Sequence, residues 1–355
     1  MNIKNLINKH IQKLVPYQSA RRIGGHGHTF LNANEYPKSD LYFFNSTTLN
    51  RYPDCQPEEV VTGFADYVSL KRDHVLVSRG SDEAIGLIIR TFVEAESEGI
   101  VIAPPTYGMY EVAAHTNNVQ VAYAERHDDF TLDADLLIDA VKKADFKVKA
   151  IFIDSPANPL GIIFDETELK KLLTALPEVL VVLDEAYIEF APKYDAVSLV
   201  NEYDNLIVTR TLSKAFALAG IRCGFTCANP EIIAAMLKVI DPYPVCDPVA
   251  QIARQALAKG GIELMRVRVA ETIRRRDILD SALRSLPFVK KIHPSNANYL
   301  LVEFTDGPKV FDAMAQKGVI LRSFDNKKGL KNCIRISVGS DEELEELMRY
   351  MSAIS

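Results

Sequence analysis

The chain has 355 residues, of which 48% are hydrophobic and 25% are charged, and both values are typical of soluble globular proteins. They exclude a disordered chain, a collagen and a coiled coil. A formal net charge of −6 disfavours binding to nucleic acid or to an acidic membrane surface. Because single cores stop growing at roughly 250–300 residues, we expect one large domain and one smaller domain.

The N-terminus and the cysteines indicate the cellular compartment of the protein. Residues 1–15 carry apolar side chains at helical spacing among polar ones, which predicts an amphipathic helix rather than a signal peptide. No other apolar run approaches the ~20 residues that cross a bilayer. The five cysteines are widely spaced without a zinc-binding pattern, so we interpret them as reduced thiols. We therefore expect a soluble, cytoplasmic protein with no membrane partner.

Short β-branched runs alternate with longer helical patterns in the first two thirds of the chain. The pattern predicts strands at residues 74–78, 100–103, 119–124, 149–154, 180–184 and 205–209. It predicts helices at residues 82–94, 107–117, 132–144 and 166–176. This alternation is typical of an α/β fold, with a mostly parallel mixed sheet sandwiched by helices. Such sheets bind ligands at the carboxyl ends of their strands.

The last third of the chain has a different pattern. It predicts helices at residues 261–286, 309–317 and 341–351, and strands at residues 298–304, 319–321 and 333–338, which form a smaller α+β domain. Prolines in Asp241-Pro-Tyr-Pro244 and Asp247-Pro248 predict a hinge before it. We therefore divide the chain into an N-terminal arm of residues 1–40, a large domain of residues 41–245 and a small domain of residues 246–355. We expect the arm to contribute to the small domain.

Lys214 is the first candidate for a chemical role. It follows the strand predicted at residues 205–209 and lies in the run Thr211-Leu-Ser-Lys-Ala-Phe-Ala-Leu-Ala-Gly220. Apolar neighbours would desolvate the side chain and lower its pKa, so that the neutral amine could form an imine with an aldehyde. A single lysine is more often a solvated surface residue. The hypothesis therefore depends on the residues that accompany it.

Other strand ends carry side chains that suit a flat, cationic ring. Asp184 ends a predicted strand and could pair with a protonated ring nitrogen. Tyr187 and Asn158 could donate hydrogen bonds to a ring oxygen, and Tyr107 could stack on the ring. Each of these residues could instead be a turn, cap or core residue. Their common position after strands favours a single binding site.

A phosphate group would find donors in the same region. Ser78-Arg-Gly-Ser-Asp82 follows one predicted strand and opens a helix, so the N–H groups of Gly80, Ser81 and Asp82 form an anion site. Ser213 and Arg222 could add a hydroxyl and a guanidinium. A glycine at such a turn is weak support alone, because it often only permits the turn.

Six motifs then occur in a characteristic order along the chain. They are Ser78-Arg-Gly-Ser-Asp82, Pro104-Pro-Thr-Tyr-Gly108, Ser155-Pro-Ala-Asn-Pro-Leu-Gly161, Asp184-Glu-Ala-Tyr187, Thr211-Leu-Ser-Lys-Ala-Phe216 and Gly220-Ile-Arg-Cys-Gly224. This order resembles pyridoxal-phosphate enzymes of the aspartate-aminotransferase fold, also called fold type I.

Further motifs carry the resemblance to one family. They are Pro16-Tyr-Gln-Ser-Ala-Arg-Arg22, Leu31-Asn-Ala-Asn-Glu-Tyr-Pro37, Leu49-Asn-Arg-Tyr-Pro-Asp-Cys-Gln56, Asp184-Glu-Ala-Tyr-Ile-Glu-Phe190 and Cys333-Ile-Arg-Ile-Ser-Val-Gly339. Within the fold, the chain is most similar to the histidinol-phosphate aminotransferase family. The similarity runs from about Val15 to Gly339, so it is more than an analogy between folds.

The resemblance implies a cofactor, an activity and roles for single residues. The cofactor would be pyridoxal 5'-phosphate, with Lys214 as the Schiff-base lysine that also moves the proton. The amino group of histidinol phosphate would pass to 2-oxoglutarate, giving imidazole acetol phosphate and glutamate, in ping-pong chemistry. The remaining implied cofactor contacts are Gly80, Ser81, Asp82, Tyr107, Asn158, Asp184, Tyr187, Ser213 and Arg222.

The resemblance also implies a homodimer and a substrate pocket. Tyr52 resembles the tyrosine that reaches across the dimer interface to the cofactor phosphate of the partner. Arg335, with Arg322 and Tyr17, would bind the phosphate of histidinol phosphate and the carboxylates of glutamate. Arg322 and Tyr17 could instead form surface pairs of little energetic weight.

Some residues depart from the family pattern or leave alternatives open. Ala157 and Leu160 replace an asparagine and a threonine of the usual Ser-Pro-Asn-Asn-Pro-Thr-Gly loop, which puts hydrogen bonds of that loop in doubt. His26 and His28 lack nearby metal ligands, so we interpret them as loop residues and expect no metal. The alternatives are an aromatic amino-acid aminotransferase or a phospho-amino-acid decarboxylase on the same fold. A protein that binds ligands without catalysis is a further alternative, which an intact Lys214 disfavours.

Overall fold

The computed structural model describes residues 3–17 and 26–354. Its strands are β1 Thr29–Phe30, β2 Val75–Ser78, β3 Glu98–Ile102, β4 Gln120–Tyr123, β5 Lys147–Asp154, β6 Leu180–Asp184, β7 Leu206–Thr211, β8 Gly224–Ala228, β9 Val289–Ile292, β10 Tyr299–Phe304, β11 Val319–Ile320, β12 Arg322–Ser323 and β13 Cys333–Ser337. Most of the motif that begins at Pro16 falls on residues 18–25, which lie outside the described residues.

The helices separate these strands. The α-helices are α1 Lys9–Gln12, α2 Glu58–Tyr67, α3 Ser81–Phe92, α4 Met109–Thr116, α5 Ala134–Lys143, α6 Glu166–Ala175, α7 Pro230–Met236, α8 Asp247–Leu257, α9 Lys259–Arg284, α10 Gly307–Gln316 and α11 Asp341–Met351. Short 3-10 helices occur at Ile3–Leu6, Ser46–Thr48, Arg72–His74, Ile188–Phe190, Pro192–Tyr194, Val197–Asn201 and Ala219–Ile221.

The large sheet contains seven strands in the order β2-β8-β7-β6-β5-β3-β4. All neighbours among β3, β4, β5, β6 and β7 are parallel, whereas β8 runs antiparallel to both β7 and β2. The predicted α/β fold with a mostly parallel mixed sheet is confirmed. Because the parallel strands end at the same edge, the loops that follow β5, β6 and β7 meet there.

Helices cover both faces of this sheet. Ile151 and Ile153 of β5 pack in one core with α2, α5 and α6. Ala150 and Phe152, which alternate with them, pack in a second core with α3, α4 and α7. Both faces are therefore apolar, which explains why the parallel strands are nearly continuous runs of hydrophobic residues.

The small sheet is antiparallel, with four strands in the order β12-β13-β10-β9. On one face, Leu300 and Val302 of β10 pack against side chains of α9, α10 and α11. On the other face, Tyr299 and Leu301 contact residues of the large sheet's core and of the loop after β5. The predicted smaller α+β part is thus confirmed, and one of its faces is turned toward the large sheet.

The structure contains elements that the sequence analysis did not predict, among them β8, α2, α7 and α8, and it differs from the predictions in two further places. The N-terminal helix is interrupted, since Ile3–Leu6 is a 3-10 helix and α1 spans four residues. Ile3 is 67% exposed, so no core stabilises a longer helix there. Asp247 and Pro248 do not interrupt the structure but begin α8, because proline is tolerated in the first turn of a helix. Within the described residues, no helix has the length and apolar character needed to span a membrane.

The loop after β5 connects the two sheets through apolar packing. Ala157 and Leu160 are 1% and 2% exposed and pack with Leu301, Leu330 and Cys333. The Tyr299 hydroxyl donates to the Ala157 carbonyl at 2.6 Å. The two departures from the family loop are therefore core residues here, and they hold the loop by burial rather than by side-chain hydrogen bonds.

We predict that Leu160→Ala destabilises the protein by about 2–5 kcal/mol, because it leaves a cavity between the loop and the small sheet. Leu237→Ala is the matched control, since Leu237 is 40% exposed after α7. Urea unfolding monitored by circular dichroism measures both. Equal losses in the two variants would contradict the packing role of Leu160.

Candidate active site

The edge formed by the carboxyl ends of β5, β6 and β7 gathers the predicted site residues. Asp184 is the last residue of β6, and it pairs in register with Asp154 of β5 and Thr209 of β7. Lys214 follows the end of β7 by three residues. Asn158 lies in the loop after β5. Three separate sequence segments thus meet because parallel strands end together.

Lys214 lies in a partly buried position between the two sheets. Its Nζ donates to the Ala33 carbonyl at 2.9 Å and lies 5.8 Å from the centre of the Tyr187 ring. Burial, together with the positive charge of Arg335, lowers the pKa of Lys214 to about 8, while the charge of Glu35 opposes the change. A larger fraction of this amine is therefore neutral near pH 7 than for an ordinary lysine.

Asp184 is a buried carboxylate held by neutral donors. Its Oδ2 accepts from the Tyr110 hydroxyl at 2.8 Å, and its Oδ1 accepts from the Ala186 N–H at 3.2 Å. Burial raises the pKa of Asp184 to about 6, and the charge of Asp154 also raises it, whereas the Tyr110 hydroxyl lowers it. A cationic ring nitrogen beside this group would favour its ionised form.

Asn158 and Tyr187 belong to a network that joins the two sheets. The Asn158 Oδ1 accepts from Arg335 Nη1 at 2.5 Å. The Tyr187 hydroxyl accepts from Asn34 Nδ2 at 2.9 Å, and Asn34 Oδ1 accepts from the Ser337 hydroxyl. Burial raises the pKa of Tyr187 to about 12, so the phenol remains a hydrogen-bond donor at neutral pH.

The start of α3 forms a cradle that requires glycine at positions 80 and 224. Gly80 has a φ of 78°, and a Cβ built on it would lie 2.5 Å from Arg222 Nη2. A Cβ on Gly224 would lie 2.5 Å from the nitrogen of Ser81. Arg222 Nη1 donates to the Ser213 hydroxyl at 3.2 Å. The helix N-terminus, the guanidinium and the hydroxyl therefore form a site whose charge and donors suit a phosphate.

Asp82 links this cradle to the predicted stacking residue. Its Oδ2 accepts from Arg222 Nη2 at 3.2 Å, and its Oδ1 accepts from the Tyr107 hydroxyl at 2.8 Å. Tyr107 also packs edge-on against Tyr110, with ring centres 5.7 Å apart. The structure thus places Tyr107 beside Tyr110, whose hydroxyl donates to Asp184.

Three residues predicted to bind substrate also lie together. Arg335 is 6% exposed, donates to the Asn32 carbonyl at 2.7 Å and lies over the rings of Tyr299 and Phe324. Arg322 is its partner in the register of β12 and β13. Burial lowers the pKa of Arg322, and the charge of Arg335 adds to this effect. The two guanidinium groups therefore form a region of concentrated positive charge.

Tyr17 approaches this region from the N-terminal segment. Its hydroxyl is near enough to Arg322 to oppose the lowering of the Arg322 pKa. A Cβ built on Gly108 would lie 3.5 Å from Cε2 of Tyr17. Gly108 directly follows Tyr107. Tyr17 is thus placed between the loop before α4 and the small sheet.

Tyr52 and His28 lie elsewhere. Tyr52 is 81% exposed and stacks on Tyr243, with ring centres 4.4 Å apart. His28 Nε2 forms a hydrogen bond with Glu346 Oε1 at 3.1 Å, so it belongs to the contact between the arm and α11. The structure therefore assembles the other predicted site residues within the chain but leaves Tyr52 on its surface.

Several contributing residues were missed by the sequence analysis. Tyr110 holds Asp184, Asn34 holds Tyr187, and Ser337 holds Asn34. Asn34 and Ser337 lie inside quoted motifs, so their position was a usable signal. Asp154 ends the strand predicted at residues 149–154, so its position was also a signal, whereas the contact of Tyr110 with Asp184 depends on how α4 packs on the sheet.

The donor set fits a phosphorylated pyridine aldehyde. It offers an amine of lowered pKa, a buried carboxylate, and an anion cradle that contains Arg222. A small side chain at Gly80 or Gly224 would fill the cradle. We conclude that the residues present can hold pyridoxal phosphate.

We predict that acetylation of Lys214 by acetic anhydride in the cofactor-free protein rises with pH around a midpoint near 8, since burial lowers its pKa to about 8. Only the neutral amine reacts, and a lysine in a reference peptide, with pKa about 10.4, provides the control. Peptide mass spectrometry measures the rates. A midpoint for Lys214 that matches the reference peptide would contradict the lowered pKa.

Comparison with known proteins agrees with this geometry. The family model for aminotransferase class I and II matches residues 30–351. The chain is 49% identical to the histidinol-phosphate aminotransferase of Aeromonas salmonicida, over 99% of this chain and 98% of that protein. It is 44% identical to the histidinol-phosphate aminotransferase of Pectobacterium carotovorum, over 99% and 98% of the two chains.

A solved structure supports the same fold. The histidinol-phosphate aminotransferase of Sinorhizobium meliloti, in complex with pyridoxal-5'-phosphate, superposes with a TM-score of 0.84 at 22% identity, over 98% of both chains. Its fold and the matches along the sequence agree over nearly the whole length. The chain therefore belongs to the class I and II aminotransferases and, among them, to the histidinol-phosphate aminotransferase family.

Proposed function

We propose that this chain uses pyridoxal 5'-phosphate to transfer the amino group of histidinol phosphate to 2-oxoglutarate, which yields imidazole acetol phosphate and glutamate. The observation that carries the proposal is that the buried amine of Lys214, whose pKa is lowered and which is near enough to Arg335 to be affected by its charge, follows β7 at the same sheet edge where Asp184 ends β6. Membership of the family supports the same reaction, which is a step of histidine biosynthesis.

The cofactor, when bound, supplies an aldehyde that accepts the amino group and a ring that withdraws electrons from the substrate carbon. Asp184 would pair with the ring nitrogen, and Asn158 and Tyr187 would bind the ring oxygen. Tyr107 would stack on the ring. These roles are supported by their common position at the edge of the large sheet.

The phosphate of the cofactor would be held at the start of α3. Backbone N–H groups at Ser81 and Asp82 would donate to it, with Ser213 and Arg222. The Gly80 N–H, also expected to donate, already donates to the Ser78 carbonyl at 2.8 Å, so Gly80 would shape the turn instead. The Asp82 carboxylate already accepts from Arg222, so it would orient the guanidinium rather than bind the phosphate.

Lys214 would hold and move the proton of the reaction. The neutral form of its amine, favoured by a pKa of about 8, can take a proton from the substrate carbon and return it to the neighbouring position. The Ala33 carbonyl, which accepts from Nζ at 2.9 Å, orients the amine at the interface of the two sheets.

Arg335, Arg322 and Tyr17 would bind the phosphate of histidinol phosphate. A phosphate carries up to two charges at neutral pH, and two guanidinium groups in one pocket provide the matching charge. The second substrate, 2-oxoglutarate, has two carboxylates that can use the same groups. Arg335 is oriented by Asn158 and Asn32, so its guanidinium keeps one position for both substrates.

We predict that the purified protein shows the visible absorption of enzyme-bound pyridoxal phosphate and that Lys214→Ala loses both this band and more than about 10²-fold in kcat/KM. Reduction with borohydride followed by peptide mapping identifies the attached residue. An unchanged band in Lys214→Ala would overturn the role of Lys214.

The same preparation ranks the substrates. Histidinol phosphate, phenylalanine, tyrosine and a phosphorylated amino acid are added separately, and conversion of the cofactor to its amine form is followed by absorbance. We expect the largest kcat/KM with histidinol phosphate. A larger value with phenylalanine would favour the aromatic aminotransferase alternative, and release of carbon dioxide from the phosphorylated amino acid would favour the decarboxylase.

We further propose that the protein is a cytoplasmic homodimer in which Tyr52 completes the site of the partner. Large apolar side chains are exposed in the segment that precedes Tyr52, including Phe43 at 77% and Leu41 at 89%. Such exposure supports a protein interface. All five cysteines are free thiols, which supports a reducing compartment.

The division into an arm of residues 1–40, a large domain of residues 41–245 and a small domain of residues 246–355 stays a prediction. Strand β1 of the arm pairs with β11 of the small part, which supports the place given to the arm. Helix α8, however, contacts α2, so the large part extends beyond residue 245 in its packing.

A mixing experiment tests the shared site. We predict that Tyr52→Phe and Lys214→Ala are each impaired as homodimers, and that mixing them after mild dissociation restores activity. The hybrid has one complete site if Tyr52 acts on the partner, because the Lys214→Ala subunit supplies the intact tyrosine. No recovery in hybrids isolated by two affinity tags would show that Tyr52 acts within its own chain, and an unimpaired Tyr52→Phe homodimer would show that it has no role.

A further inference from the structure

Behind the site lies a buried ion pair without an assigned role. Asp154 is the last residue of β5 and is 4% exposed. Its Oδ1 lies 3.8 Å from Nη2 of Arg126, whose side chain is also 4% exposed. Arg126 is anchored through hydrogen bonds to the carbonyls of Ala103 and Phe130. The Asp154 carboxylate is therefore paired with the guanidinium of Arg126, which is held in place by two backbone carbonyls.

We propose that Asp154 is a positioning residue for the aminotransferase reaction, since its carboxylate ties the loop of Tyr107 to the loop of Asn158 and so sets both walls of the cofactor site. This inference rests on the proposed function.

Asp154 holds the loop of Tyr107 by one side-chain and one backbone hydrogen bond. The Thr106 hydroxyl donates to Oδ1 of Asp154 at 2.7 Å, and the Tyr107 N–H donates to Oδ2 at 3.2 Å. The Tyr107 hydroxyl donates to Asp82 at 2.8 Å. Tyr107 is therefore fixed at both ends, and Asp154 fixes the end nearer to the sheet.

The second loop is held by the same carboxylate oxygen. The Asn158 N–H donates to Oδ2 of Asp154 at 2.7 Å. The side chain of Asn158 then accepts from Arg335 Nη1 at 2.5 Å. Loss of this oxygen would therefore remove a hydrogen bond from Tyr107 and from Asn158 together. Because Asn158 accepts from Arg335, the position of Arg335 would change as well.

The surroundings of Asp154 act on its charge in opposite directions. Burial raises the pKa of Asp154 above its ordinary value, and Arg126 and the N–H and hydroxyl donors oppose this change. Hydrogen bonds to an ionised acceptor are stronger than neutral ones. The nearest strand neighbour is Asp184, which is its register partner on β6 and faces the cofactor ring nitrogen in the proposed function.

Two substitutions separate hydrogen bonding from charge. Asp154→Ala removes both oxygens, whereas Asp154→Asn keeps one oxygen that can face the two backbone N–H groups. Because Asp154→Ala leaves the charge of Arg126 buried, a second variant, Asp154→Ala with Arg126→Met, tests the same loss without an unpaired cation. Asp165→Ala is the matched control, since Asp165 only caps α6 through the Thr167 N–H.

The measurements are the Kd of pyridoxal phosphate for the cofactor-free protein, followed by fluorescence, and kcat and KM for histidinol phosphate, with thermal unfolding recorded for every variant. We expect Kd and KM to rise about tenfold in the two alanine variants. We expect kcat to fall by about tenfold to 100-fold, because misplaced loops misalign the reacting groups. Asp154→Asn should stay within about threefold of wild type, and Asp165→Ala should lower only the unfolding temperature.

Each outcome decides the inference. Wild-type Kd and KM in a folded alanine variant would overturn it, and so would an Asp154→Asn protein as impaired as the alanine variants, since charge alone would then matter. Failure of wild type to bind pyridoxal phosphate would refute the proposed function instead. Rescue by asparagine together with loss in the alanine variants supports Asp154 as the residue that positions both loops.

Discussion

The hydrogen-bonded register of the parallel strands β5, β6 and β7 is the constraint on which the site depends. It places Asp154 beside Asp184 and Asp184 beside Thr209, so that three strand ends present their side chains at one edge. A shift of one residue in any of these strands would turn its last side chain to the opposite face of the sheet. The apolar residues that cover both faces prevent such a shift, because it would expose them or bury polar ones.

Burial at this edge changes the chemistry of the groups it collects. It raises the pKa of Asp184 to about 6 and lowers the pKa of Lys214 to about 8, which brings an acid and a base closer to neutral pH. One residue after Asp184, the opposite face of the sheet carries a separate buried cluster. There Arg210 lies near Glu185, Glu189 and Asp195, and burial raises the pKa of Glu185 to about 8. Alternation along one strand thus separates a structural cluster from the reactive one.

The small sheet completes the site through a few contacts with the large one. Arg335 reaches Asn158, and Tyr299 reaches the loop that contains Ala157. That loop therefore has two partners, since the carboxylate of Asp154 holds its backbone from the large sheet and apolar packing around Leu160 holds it from the small sheet. The loop therefore links Asp154 of the large sheet to Arg335 of the small sheet, and Ala157 and Leu160 contribute to it by packing.

The amino-acid sequence was sufficient to predict the fold class, the family, the cofactor and the candidate residues, because strand and helix periodicity and ordered motifs are local properties. The bounds of β6 and α11 were predicted residue for residue, since a continuous apolar run that ends at Asp184 marks β6 and the capping box of Ser340 marks the start of α11. Only the tertiary structure decided which residues hold the reactive groups. Tyr110 on Asp184, Asn34 on Tyr187 and Asp154 between two loops are contacts across distant segments, and they follow from strand order and packing. No local pattern encodes such contacts. The same holds for the N-terminal helix, which its sequence pattern predicts but which is interrupted because none of the residues in its two short helices is buried.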